Sequence, residues 1–204
     1  MNVNSLKIFD ERGGSKEFIY NEIVTRDDYG LTLLTNPLTT PKLIIDIGAN
    51  IGIFSLYAHE LFPDAEIIAA EPDINNFNCL TDNIKGISQI KPINAALGDK
   101  EFLYQIQSQG GCSLFSEQPT NTKVSCVTVK SLVGNRKDYY LKSDCEGGEV
   151  FLTEEDIKNA TAIGIELHTW YTIDMARIAK LRTIINAYFN IIKVHDGCAF
   201  GVRK

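Results

Sequence analysis

The sequence predicts an α/β fold, a mostly parallel sheet with helices on both faces, and three observations carry that reading. From residue 43 onward, short apolar runs alternate with segments of helical period. The first run, Leu43-Ile44-Ile45-Asp46-Ile47, ends in a glycine turn that opens straight into a helix. Near the C-terminus, Asp196-Gly197 separates two apolar runs, which is a strong hairpin signal, so the last strand runs antiparallel to its neighbour. Repeated strand and helix units need right-handed crossovers, and these put helices on both sides of the sheet.

Residues 1–42 show no such unit and read as an N-terminal cap or edge segment, in which Phe18, Tyr20 and Tyr29 line a substrate pocket or an oligomer interface. Residues 43–204 form the sheet domain. After the first strand, Ile51 to Phe62 is a helix closed by Pro63, and Ala65 to Ala70 is a second strand stopped by Glu71-Pro72. Asp73 to Lys85 follows as a helix, with Asp73 as N-cap and Gly86 at its end. Ile90 to Leu97 is a third strand. Phe102–Gln107, Ser113–Ser116 and Val124–Val129 are short, alternating and turn-bounded, which predicts a β-rich insertion at about 100–130. Tyr139–Asp144 and Ala162–His168 are two further strands. Thr172 to Phe189 is the clearest helix, with Ile178, Leu181, Ile185 and Tyr188 along one face. Asn190–Val194 and Cys198–Val202 form the closing hairpin.

With 20 Lys plus Arg against 26 Asp plus Glu, the net charge of −6 offers no general attraction for phosphate backbones or anionic lipid. Arg177, Lys180 and Arg182 read as a solvated helix face. Met1 to Gly14 lacks the apolar stretch of a signal peptide, and no run is long enough for a membrane span, so a soluble cytoplasmic protein is expected. The five cysteines form no Cys-x-x-Cys pair and read as small buried hydrophobes rather than disulfide or zinc ligands.

In a sheet of this kind ligands bind beyond the carboxyl ends of the strands, at the switch in strand order. Those ends carry Gly48 to Gly52, Glu71, Leu97 to Asp99, Asp144 to Glu149 and Glu166 to Trp170. The glycines at 48 and 52 depart from the Gly-x-Gly-x-x-Gly spacing of dinucleotide sites, which argues against NAD or FAD. Asp46 stands where an acid can reach an ammonium group, and Glu71 where one accepts the two hydroxyls of a ribose. A ligand with a ribose, an ammonium and no pyrophosphate matches S-adenosylmethionine.

Across residues 43 to about 168 the sequence resembles the FkbM-type family of S-adenosylmethionine-dependent methyltransferases. The resemblance rests on Asp46-Ile-Gly-Ala-Asn-Ile-Gly52, Ala70-Glu71-Pro72-Asp73, Asn94-Ala95-Ala96-Leu97-Gly98-Asp99, Lys142-Ser-Asp144-Cys-Glu146-Gly147-Gly148-Glu149 and Ile165-Glu166-Leu-His168. It implies a class I methyltransferase, Rossmann-like sheet of seven strands with the last antiparallel. It also implies that Asp46, Gly48, Ala49, Asn50 and Gly52 surround the methionine part of the cofactor, that Glu71 with Pro72 takes the ribose, and that Ala96 and Leu97 lie against adenine. Ser143, Cys145 and Gly148 replace the aliphatic or alanine residues usual in the family.

The implied reaction is methylation of a hydroxyl on a sugar, polyketide or other small metabolite, with a small-molecule or glycan acceptor and no nucleic acid or membrane partner. An amine, protein or RNA acceptor is the alternative, and a non-catalytic cofactor-binding domain a third. Candidate catalytic residues are Asp144, Glu146 and His168. Asp144 would act as base, orient the acceptor or, with Glu146, hold a divalent metal, because oxygen-rich clusters suit hard cations. His168 beside Glu166 is the other candidate base, its ordinary pKa near 6.5 suiting proton transfer. Against these stands the reading of Glu146 and Glu149 as helix caps. His59 and His195 read as structural, Gly110 to Phe115 as a hairpin turn that could approach the ligand, and Trp170 as packing or facing the acceptor.

Overall fold

The computed structural model describes residues 5–7, 16–35, 40–109, 112–116, 122–169 and 174–204. The chain opens with a short helix α1 (Lys16–Tyr20), a π-helical turn (Asn21–Thr25) and a 3-10 turn (Leu31–Leu34), then enters β1 (Leu43–Ile47). There follow α2 (Ile53–Leu61), β2 (Glu66–Ala70), α3 (Ile74–Asn83), β3 (Ile90–Ile93) and β4 (Ala96–Leu97). The middle of the chain is β5 (Phe102–Gln109), β6 (Cys112–Ser116), β7 (Thr122–Val127) and α4 (Val129–Val133). The last third is β8 (Tyr139–Ser143), a 3-10 turn (Gly148–Phe151), α5 (Glu154–Lys158), β9 (Ala160–Glu166), α6 (Met175–Tyr188), β10 (Phe189–His195) and β11 (Cys198–Arg203).

Seven strands form the main sheet in the order β10-β11-β9-β8-β1-β2-β3, and β11 alone runs opposite to the other six. β1 and β8 are buried along their whole length. A strand covered on both faces gains from apolar residues everywhere, which is why these two read as continuous runs without alternation. One face of the sheet carries Ile44 and Tyr140 and is covered by Phe54 and Ala58 of α2, Leu80 of α3 and the N-terminal residues Ile23, Tyr29, Leu31 and Leu34. The other face carries Ile45, Ile47, Leu141 and Ile163 and packs against Val129, Ile157, Leu181 and Ile185 of α4, α5 and α6. Among the described residues no helix is long and apolar enough to cross a membrane.

Local chemistry moves some boundaries. The expected third strand, Ile90 to Leu97, is two strands. Asn94 donates its side-chain amide to the carbonyls of Glu71 and Pro72 and so fixes a bend. Beyond it, Ala96-Leu97 leaves the main sheet and pairs with β7 in a second sheet of order β4-β7-β5-β6. This second sheet is the expected β-rich insertion, although its last strand stops at Val127: Thr128 and Ser131 form a capping box that starts α4 instead. Asp73 caps α3 as expected, accepting from the N–H groups of Asn75 and Asn76. The described part of the long helix begins at Met175 with Asp174 as its cap. Trp170, Gly110, Gly111 and the expected helix start at Thr172 lie outside the described residues.

Candidate active site

Strand order reverses between β1 and β8, and the functional residues gather where these two strands end. Gly48 and Gly52 take φ of +74° and +94°, which L side chains rarely adopt. A Cβ on Gly48 would fall on the carbonyl oxygen of Asp144, so the first glycine is needed to pack the turn against the end of β8. Every backbone N–H from Gly48 to Gly52 has a partner within the protein. Gly48 and Ala49 donate to Ala70, Asn50 to the Glu71 carboxylate, Ile51 to the Asn50 side chain and Gly52 to Ala49. These five groups therefore do not form the nest of free N–H donors that grips a pyrophosphate. Glu71 is buried, and its second oxygen accepts from Asp73 N–H, which locks the carboxylate at the mouth of the turn.

Asp46 does not reach the rim. Its side chain is 0% exposed and accepts from the Ser55 hydroxyl at 2.7 Å. Its other oxygen, Oδ1, lies 3.1 Å from the Lys142 ammonium, an ion pair held by charge without hydrogen-bond alignment. The pairing follows from register. Asp46 and Lys142 are opposite residues on the parallel strands β1 and β8, so the one acid and the one lysine of two apolar runs face the same side. The Lys142 Nζ also donates to the carbonyls of Gly48 at 2.6 Å and Ile47 at 3.1 Å, and stands 5.6 Å and 5.7 Å from the Tyr29 and Phe54 ring centres. Burial works against its charge, but Asp46 and Asp144 outweigh it and hold the pKa above the ordinary lysine value.

Past β8, Asp144 is about a quarter exposed and opens toward the rim. Tyr29 donates to its Oδ2 at 2.9 Å, and Lys142 lies 3.9 Å from the same oxygen. Glu146, in a left-handed conformation at φ +51°, and Asp144 lie 3.5 Å and 3.9 Å from His168 Nε2. Glu149 is fully buried and accepts from Cys145 N–H, Gly147 N–H and His168 Nδ1. Its work is to tie the 145–147 loop and the histidine, close to the capping role weighed for it. Among the described residues, two groups bring ligand atoms within 4.8 Å of one another, Asp144 with Glu146 and His168, and Asp144 with Glu22 and Glu166.

His168 is the expectation most altered. It is 2% exposed, and although burial opposes its charge, the Glu149 hydrogen bond and the surrounding carboxylates raise its pKa to about 9. At neutral pH it is a cation that donates, so the ordinary pKa assumed for a base there does not apply. Burial likewise raises Glu71 to about 7, and burial with the nearby Asp144 charge raises Glu166 above the carboxylate range.

All three shifts make the folded chain hold protons that the unfolded chain releases, so stability falls as pH rises. For His168 the stabilisation is complete below its unfolded value of 6.5 and disappears as pH passes about 9. For the two carboxyl groups the cost grows upward from 4.5. The melting temperature in the presence of a chelator is therefore expected to decline from pH 6 to pH 9, with His168→Gln flattening the upper part. A melting temperature constant over that range contradicts the assignment.

The methyltransferase FkbM domain family matches residues 46–175, well over half of the chain. The chain belongs to this family. It is similar to methyltransferase sdnD of Sordaria araneosa, 34% identical over 110 residues covering 50% of this chain and 40% of the relative. Methyltransferase 1 of Beauveria bassiana is 29% identical over 111 residues, covering 52% and 43%. The chain thus spans less than half the length of the curated relatives it matches. In fold it is similar to the fibrillarin pre-rRNA processing protein of Methanococcus jannaschii, with TM-score 0.53, 14% identity and coverage of 100% of this chain and 84% of that one.

The FkbM assignment covers the rim from Asp46 through His168, and the structure brings most of the residues expected there together. Gly48, Ala49, Asn50, Gly52 and Glu71 form one wall, with Pro72 half-buried beside it. Leu97 belongs to the core cluster that holds Ile47 and Ala70, the last residues of β1 and β2, while Ala96 clusters with Leu103 and Val124 of the second sheet. Asp144, Glu146 and His168 form the opposite wall. Of the aromatics read in the N-terminal segment, Tyr29 reaches this wall and Phe18 is exposed to solvent. Lys142 and Glu22 had no assigned role. A lysine inside an apolar central strand is a usable signal, since it needs a buried partner; nothing around Glu22 distinguishes it in the sequence.

Proposed function

We propose that this FkbM-family domain methylates a hydroxyl of a sugar, polyketide or other small metabolite, using S-adenosylmethionine. The observation that supports the cofactor is the 48–52 turn. Its N–H groups are engaged within the protein, while Glu71 stands at its mouth with both oxygens held in place and lone pairs left over for a diol. Those residues fit a ribosyl ligand without pyrophosphate. Gly48 to Gly52 would hold the amino-acid part, Glu71 the ribose, and Leu97 the base. Asp46 would act from behind, through Lys142 and the turn carbonyls.

Held there by the 48–52 turn and Glu71, S-adenosylmethionine would supply an electrophilic methyl group to an acceptor oxygen, its sulfur keeping the bonding pair. The chain must align the acceptor and take the hydroxyl proton. Asp144 is suited to both, because one oxygen is held by Tyr29 and the group opens to the rim. His168 Nε2, 3.5 Å from Glu146 and 3.9 Å from Asp144, would hold the two side chains at the rim. Asp144 with Glu146, or Asp144 with Glu22 and Glu166, would also hold a divalent cation, which would supply charge stabilisation for the acceptor oxygen.

Calorimetry with S-adenosylmethionine and with NAD tests the cofactor; heat from NAD alone overturns it. Glu71→Gln is expected to weaken S-adenosylmethionine binding about 10- to 100-fold, since hydrogen bonds to charged groups contribute about 1.5–3 kcal/mol. Release of S-adenosylhomocysteine over a panel of glycosides, phenols, polyketide alcohols and amines tests the acceptor class, and turnover confined to amines removes the hydroxyl assignment. Turnover unaffected by EDTA removes the metal.

A further inference from the structure

We propose that Tyr29, in the segment that precedes every family motif, is a positioning residue that aims Asp144 at the acceptor. The inference rests on the reading of Asp144 as base and adds a residue from outside the family match. Tyr29 is buried, with 1% exposure, and is held from several sides. Its ring meets Phe54 edge-on at 5.7 Å, and its carbonyl accepts the Tyr140 hydroxyl at 2.6 Å. Gly164 on β9 leaves the space: a Cβ there would overlap the Tyr140 hydroxyl and come within 3.1 Å of the Tyr29 side chain.

The phenol so fixed has one proton and three carboxylates near it. Glu22 Oε1 is 3.3 Å away, Glu166 Oε2 3.5 Å and Asp144 Oδ2 2.9 Å. Only the last falls in the usual range for an O–H···O bond, so the proton goes to Asp144. That bond anchors Oδ2 and leaves Oδ1 on the side of the rim where His168 Nε2 lies, 3.9 Å away. The competing position for Asp144 is the Lys142 ammonium, 3.9 Å from the same Oδ2. Without the phenol the carboxylate closes onto Lys142 and turns from the acceptor. With it, Oδ1 receives the hydroxyl proton as the acceptor oxygen takes the methyl group and sulfur keeps the bonding pair.

A double-mutant cycle on Tyr29→Phe and Asp144→Asn tests this, with the acceptor that the panel above returns. Tyr29→Phe is expected to lower kcat about 10- to 100-fold, the effect of a misaligned catalytic group. S-adenosylmethionine Kd and acceptor KM should stay within about threefold, and in the Asp144→Asn background the second change should cost little more, because the two act as a unit. Full turnover in Tyr29→Phe with an inactive Asp144→Asn overturns the Tyr29 role alone; an active Asp144→Asn overturns the base reading; additive losses show that Tyr29 acts apart from Asp144 and overturn the proposal. If Tyr29→Phe does not fold, 3-fluorotyrosine at position 29 keeps the ring and, as a stronger donor to the same oxygen, draws charge from the Asp144 carboxylate and should lower kcat severalfold; unchanged kcat shows that the bond does not reach the reaction and overturns the role. An acceptor-free measurement stands beside these: the buried hydroxyl proton of Tyr29 should give an NMR resonance that shifts on Asp144→Asn, and an absent or unmoved resonance overturns the bond.

Discussion

Asp144→Asn is expected to lower kcat by about two to four orders of magnitude, the usual share of a general base, while S-adenosylmethionine affinity changes little. Asparagine has nearly the same shape and its amide oxygen can still accept the Tyr29 hydroxyl, so the turn and the 145–147 loop should keep their geometry. What is lost is the ability to take a proton from a neutral hydroxyl, which is a weak nucleophile until that proton leaves. Single-turnover kinetics with calorimetry on the same protein separates the two quantities. Turnover within about threefold of the parent moves the base elsewhere; a parallel collapse of cofactor binding makes Asp144 a structural residue.

Lys142→Met should be the most destabilising single change at the site, by about 3–5 kcal/mol, because it leaves Asp46 fully buried with its charge unpaired. It also removes the donor to the carbonyls of Ile47 and Gly48, which point into the same interior. Against a typical total stability of about 5–15 kcal/mol, that loss is visible in urea unfolding at 25 °C. Asp46→Asn in the same chain should restore most of it, since methionine is nearly isosteric with the lysine stem and an amide tolerates burial better than a carboxylate. A Lys142→Met protein within 1 kcal/mol of the parent, or a double variant no better than the single, shows that the pair is not what holds β1 to β8 at this level.

The sheet was legible because its signals are local. A buried parallel strand must be apolar throughout, a crossover must carry a helix, and Asp196-Gly197 encodes its turn in two residues. The misread boundaries are those decided at a distance. Nothing between Ile90 and Leu97 announces that Asn94 will bond to carbonyls more than twenty residues away and break the strand. The site shows the same division. Glu71, the glycine turn and Asp144 stand in motifs whose spacing already places them at strand ends. The protonation of His168 could not be read there, because it depends on Glu149, Asp144 and Glu146 closing around it. The sequence directs Asp46 at a ligand, while the ion pair it makes with Lys142 depends on strand register, which the sequence does not display.

The N-terminal segment has a further consequence, for the order in which the molecule is made. Asp28 offers its carbonyl to the Cys198 thiol, 170 residues further on, and Lys193 donates to the carbonyls of Arg26 and Asp27 from a similar separation. The Arg26–Asp28 turn therefore gains these bonds only when β10 and β11 exist, although Tyr29 and Leu31 already have Phe54 and Tyr140 to pack against. Long-range closures of this kind are slow to form. The turn next to Tyr29 is thus closed last, so a variant shortened by β10 and β11 should show rapid amide exchange at Arg26 to Asp28 even with every family motif present, and slow exchange there contradicts this order.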